Sequence, residues 1–148
     1  MHNCVAHFPL PLWLNEGLAV VFDRTVALGR QPILDSELRD RHLAFWNEES
    51  IQKFWAGVSF REPGDSNELS YSLAEILVNL LLSQSKGFGD FVKHADWHDA
   101  GQTGALDFLG SDLGQIAGTF LGDGTWRPRR KAMLACWEAA KNKEQGAP

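Results

Sequence analysis

Between Ser70 and Ser83 the apolar residues Leu73, Ile76, Leu77, Leu80 and Leu81 recur at the three- and four-residue intervals of a helix, and Val78 and Leu82 widen the stripe. A stripe this wide needs other elements to cover it. No stretch of the chain alternates apolar and polar residues for long enough to make a strand, so those elements are also helices. The reading is an all-α fold, a single multi-helix domain over residues 1–148 with Ser70–Ser83 at its centre. At 148 residues the chain can bury a core without staples, and its two cysteines, Cys4 and Cys136, read as small buried hydrophobes rather than a disulfide framework.

Punctuating residues divide the rest. Pro9 and Pro11 precede a helix that fades by Gly29 and places Leu14, Leu18, Val21 and Phe22 on one face. Arg30 to Asp35 reads as a loop, and Asp35-Ser36-Glu37 opens a second helix running through Leu38, Leu43, Ala44 and Trp46 to a break near Asn47. Glu48 to Phe60 continues as a short helix bearing Ile51, Phe54 and Trp55, and Glu62 to Asn67, rich in turn formers, is the clearest loop. Further short helices follow at Phe88 to Trp97, Thr103 to Leu109 and Asp112 to Leu121. A final helix, Arg129 to Lys143, buries Met133, Leu134 and Trp137.

Charge and hydropathy exclude some partners. A net charge of -5 argues against nucleic acid and against an anionic membrane surface. The most apolar stretch, Ile76 to Leu82, is far short of the roughly 20 residues that a spanning helix needs. The N-terminus lacks the basic and apolar regions of a secretion signal, so a cytoplasmic location is the default expectation.

Within the first helix, Glu16 stands in the otherwise apolar run Leu-Pro-Leu-Trp-Leu-Asn-Glu-Gly-Leu-Ala-Val-Val-Phe-Asp, from Leu10 to Asp23. A carboxylate buried in such a place must be paired or bound to metal. Alternatively, the Asn15-Glu16 pair caps the helix or faces solvent. Gly17 beside it admits the close approach of another backbone.

This segment resembles the third-ligand helix of the gluzincin zinc metallopeptidases, in which a His-Glu-x-x-His helix is followed by a second helix carrying a Glu in a Trp-Leu-Asn-Glu-Gly context. The resemblance implies that two His and a Glu hold zinc, leaving one position for water, and that a Glu beside the first His takes the water's proton. On this chain it implies Glu16 as a metal ligand and His2 as the motif's second His, although thirteen residues separate them, fewer than the family usually places there. It implies Tyr71, the only tyrosine, as the hydroxyl that hydrogen-bonds the developing oxyanion, and Asp23 as a residue that orients a ligand His from behind. Each has an ordinary reading beside it: His2 as a near-terminal histidine, Tyr71 as a packing residue, and Asp23 as the polar end of a helix next to Arg24.

The resemblance further implies that the chain starts inside the zinc motif, without the first His and the general-base Glu. It would then be a fragment or truncated form of a protein that hydrolyses peptide bonds when complete. Zinc binding by this chain is expected to be weak or absent, no peptidase activity is expected from it, and the open face of the Glu16 helix is expected to favour self-association. The rival reading is a non-catalytic helical interaction module, or a relative that kept the packing and lost the chemistry. Two other groups stand out. His94 and His98 at i, i+4, beside Asp96 and Asp99, could share a metal or form a solvated helix end. The basic run Arg127-Pro-Arg-Arg-Lys131 could touch phosphate or an acidic partner, or be a solvated patch.

Overall fold

A computed structural model describes residues 10–28, 35–84 and 86–146, and among the described residues there are helices and no strands. The first helix, α1 (Leu12–Leu28), starts behind Pro11, whose carbonyl accepts the N–H groups of Leu14 and Asn15 at 3.1 and 3.0 Å. Asp35 caps α2 (Ser36–Phe45) by accepting the Leu38 N–H at 2.8 Å. Asn47 and Ser50 form a reciprocal capping box at the start of α3 (Glu48–Ala56), and Gly57, at φ 87°, ends that helix in the left-handed region. A 3₁₀ turn, Val58–Arg61, leads into α4 (Asp65–Gln84).

The remaining elements are shorter, apart from the last. They are α5 (Phe88–His94), a 3₁₀ turn at Trp97–Asp99, α6 (Gln102–Gly104) with a π turn at Ala105–Leu109, and α7 (Leu113–Leu121). After an irregular strap, α8 (Arg130–Gly146) closes the fold. Among the described residues no helix is long and apolar enough to cross a membrane.

The core follows from the α4 stripe. Leu73, Leu77, Val78 and Leu81 are buried, and α1 makes the most extensive packing against them. That approach depends on Gly17: a Cβ there would lie 2.6 Å from Val78 Cγ2 and 2.7 Å from the Ala74 carbonyl oxygen. One turn earlier on α1, Trp13 meets Trp55 edge-on at 5.5 Å, and Phe54 and Phe60 extend the cluster.

Tryptophan side chains then tie distant segments together. Their indole N–H groups donate from Trp13 to the Ala100 carbonyl (2.9 Å), from Trp55 to that of Trp126 (2.7 Å) and from Trp137 to that of Ala56 (2.7 Å). Each ring thereby buries apolar area without orphaning its one polar atom.

Several sequence expectations need correction. The loop expected from Glu62 to Asn67 is cut short, because α4 begins at Asp65. Asp65 and Glu68 sit in its first turn, where negative charge is favoured, while Ser66 Oγ donates to the Ser59 carbonyl and Asn67 to that of Phe60. The polar residues that read as a turn thus fasten the helix start onto the 3₁₀ turn. Phe22 is 66 % exposed, because Gly17 turns the Val21 side of α1 toward α4 and leaves Phe22 about 100° away. Leu134 is exposed because Met133 and Trp137, one turn apart, take the inner stripe of α8. Leu43 and Leu82 are exposed as well. The helix expected through Trp97 stops at His94, where Ala95 adopts an extended conformation and Asp96 caps the following 3₁₀ turn. Cys136 is half-buried as a free thiol, and Cys4 lies outside the described residues.

Candidate functional site

The position of Glu16 follows from its neighbours. Trp13 and Leu14 are fully buried and Gly17 is pressed against α4, so the intervening Asn15 and Glu16 turn onto the flank of α1. Both are half-buried. Asn15 Oδ1 is shut off from solvent with no hydrogen-bond partner among the described residues. An orphaned buried acceptor is uncommon, because its lost hydration goes unreplaced.

Across the α1–α4 crossing stands Tyr71, half-buried and set edge-on to Phe60 at 5.1 Å. Burial raises the pKa of its hydroxyl, and the charge of Glu16 raises it further. The two residues therefore share one electrostatic environment although they are far apart in the sequence. The phenol stays protonated over the neutral range, as a hydrogen-bond donor must. Tyr71 lies nearly two turns inside α4, which begins at Asp65 rather than at Ser70. Asp23 is exposed, two turns along α1 from Glu16. His2 lies outside the described residues.

A zinc site needs three or four ligands converging on one point. Among the described residues no group of three or more His, Cys, Asp or Glu side chains is placed to hold a metal ion. Glu16 is the one position of the expected ligand set that is described, so the described residues do not fit a complete zinc centre.

The other constellations separate. His94 ends α5, stacks on Phe108 at 4.5 Å and has Nδ1 2.9 Å from the Asp90 carbonyl. His98 belongs to the next 3₁₀ turn and pairs with Asp96 at 2.7 Å. The Asp96 carboxyl is held below its usual range, first by the His98 backbone N–H. In the basic run, Arg127 binds Asp112 through Nη2 at 2.6 Å, and its carbonyl accepts the Gln52 amide at 2.8 Å. Gln52 Oε1 in turn accepts the Arg129 N–H at 2.8 Å. Burial alone would raise the Asp112 pKa, but Arg127 and Gln102 hold the carboxyl below its usual range. Arg127 is thus part of the fold's fastening.

Sequence reasoning overlooked His42. It is fully buried on α2, with Nε2 2.9 Å from Ser72 Oγ and Nδ1 accepting the Trp46 indole N–H at 3.0 Å. The pair looks like a nucleophile and its base, yet the indole can only donate. Nδ1 is therefore the acceptor, the proton resides on Nε2, and the imidazole donates to Ser72. A Ser–His nucleophile requires the reverse direction. The available signal was the spacing of Leu38, His42, Phe45 and Trp46, which puts His42 on the inner stripe of α2.

A groove lies between the start of α1, the end of α3 and α8. It has a volume of about 770 Å³, and Leu12, Val58, Trp97 and Trp137 line it beside the Lys53–Glu62 ion pair. No protein-family model, curated protein or solved structure matches the chain.

Proposed function

We propose that this chain is the helical part of a zinc metallopeptidase-like protein that hydrolyses peptide bonds when complete, with Glu16 at the third-ligand position and Tyr71 at the oxyanion-donor position. The observation that carries the reading is the juxtaposition of these two residues across the α1–α4 crossing, in an environment that keeps the Tyr71 phenol protonated. The orphaned Asn15 Oδ1, one residue from Glu16, adds support, since a missing neighbour would supply its partner.

The chain's residues contain no His-Glu-x-x-His motif, so the chain alone is expected neither to hold zinc tightly nor to cleave peptides. Its own residues would position an anionic intermediate: the Tyr71 hydroxyl donates to the developing oxyanion, and Phe60 fixes its ring. The test begins with the in-frame coding sequence upstream of Met1. Codons for His-Glu-x there support the reading, and an in-frame stop overturns it. For a chain extended by those codons, peptide hydrolysis lost in Glu16→Gln and strongly reduced in Tyr71→Phe is the expected result. Hydrolysis indifferent to both substitutions would also overturn it.

A second reading, a non-catalytic interaction module, is favoured by the apolar groove beside α8, whose Trp97 is 38 % exposed. Failure of the extended chain to bind zinc would leave this reading standing. Self-association through α1 belongs to the first reading and draws on the exposure of Phe22. Sedimentation at rising concentration should show dimers that Phe22→Ser disperses.

A further inference from the structure

Helix α2 is attached to the rest of the molecule in an unusual way. Of its ten residues, the only one fully buried is a histidine, His42. Arg41 adds an exposed fork onto Asp65 and Glu68 of α4, at 3.0 to 3.1 Å. Exposed ion pairs of this kind contribute little. The docking of α2 therefore centres on one imidazole fitting a closed polar environment, flanked by the partly buried Leu38 and Phe45.

That environment admits only the neutral ring. The Trp46 indole points a hydrogen at Nδ1, so a proton added there would set donor against donor. Phe120 of α7 meets the ring edge-on at 5.2 Å and offers no polar atom to receive the charge. From α2 itself the nearest charge is Arg41, which repels an imidazolium. From α4 the facing groups are Ser72, Glu68, already engaged by Arg41, and the buried Glu75, three residues beyond Ser72 on the same side of the helix.

We infer that α2 is an acid-released latch: protonation of His42 undocks Ser36–Phe45 from α4 and α7 while α3 and the α1–α4 pair stay folded. The parting point is the Phe45–Trp46 junction. Trp46 packs edge-on against Phe54 at 5.5 Å, and Asn47 caps α3, so both remain with the body. Burial, followed by the charge of Arg41, lowers the His42 pKa from 6.5 to about 4. An opened α2 regains the ordinary value, so linkage makes opening about twentyfold more frequent at pH 5 than at pH 7.

The test is hydrogen exchange of the full chain across this range, corrected for the intrinsic pH dependence of exchange. The expected result is that amides of α2 gain about twentyfold in opening from pH 7 to pH 5, while those of α3 and α4 gain less than threefold. In His42→Gln, which keeps both polar functions but does not titrate, the difference should vanish. NMR titration of the unaltered chain covers the case in which that variant fails to fold. The His42 ring should titrate well below 6.5, and Trp46→Phe, which removes the opposing donor, should raise the midpoint. Equal gains in every helix, or a His42 midpoint at or above 6.5 with α2 still protected, as pairing with Glu75 would produce, would overturn the proposal.

Discussion

The two ends of the molecule treat their buried polar groups differently. Around α3 and α8 nearly every such group has a partner: Gln52 bridges Arg127 and Arg129, the indoles of Trp55 and Trp137 each find a carbonyl, and Asp112 is held by Arg127 and Gln102. At the α1–α4 crossing the backbones touch just as closely, yet Asn15 Oδ1 has no partner among the described residues and Glu16 and Tyr71 remain half-open. Packing is satisfied at both ends, but polar matching is satisfied at only one. A chain that meets its own rules in one half and departs from them in the other marks where something besides stability shapes the residues.

Mutations can break this contrast, beginning where the effect is largest. Trp55→Ala removes a fully buried indole from the finished end and should cost about 4 kcal/mol in urea denaturation. Gly17→Ala tests the tight crossing, where no flexible side-chain tip can yield to the Ala74 carbonyl, and should cost about 3 kcal/mol by the same measurement. Gln52→Ala strands one carbonyl and one N–H on the strap, for a loss of about 2 kcal/mol.

The sign should reverse at the other end. Asn15→Leu replaces an orphaned acceptor with an apolar group and should stabilise the isolated chain by about 1 kcal/mol. A loss of similar size would mean that Asn15 already has its partner, and the contrast would fail. Smallest in stability is Glu16→Gln, within about 0.5 kcal/mol, but it should lower the Tyr71 pKa. Tyr71 is the only tyrosine, so its ultraviolet titration reads that shift directly.

Much of this architecture is legible in the residues. The stripe from Leu73 to Leu81, the caps at Asp35 and Asp112, and the break at Asn47 are local signals, and the helices follow them. Gly17 predicted a close approach, and α4 makes it. What periodicity could not supply was rotation about each axis: Phe22 and Leu134 fit an apolar stripe, but the neighbours chosen by Val21 and Met133 leave them outside. Nor could it foresee that Ser66 and Asn67 would spend their polar groups on the preceding turn and extend α4. That the charge of Glu16 acts on Tyr71 is a product of the α1–α4 packing, and no local pattern joins residues so far apart. For His42 the i, i+4 spacing to Trp46 was a local signal, whereas its Ser72 partner lies on another helix and the partners of Gln52 are distant backbone atoms, so neither of these could be read locally.

The strap between α7 and α8 has a consequence for how the chain is made. Gln52 and its carbonyl partner are separated by 75 positions, and Trp55 and its own by 71. When α3 leaves the ribosome, its inner face carries polar groups whose mates have not yet been synthesised. Until Trp126 and Arg127 emerge, water must occupy those places. Helix α3 thus waits on a few irregular residues that lie 71 to 75 positions downstream of it, and a chain arrested before them would expose a wet, unclosed α3.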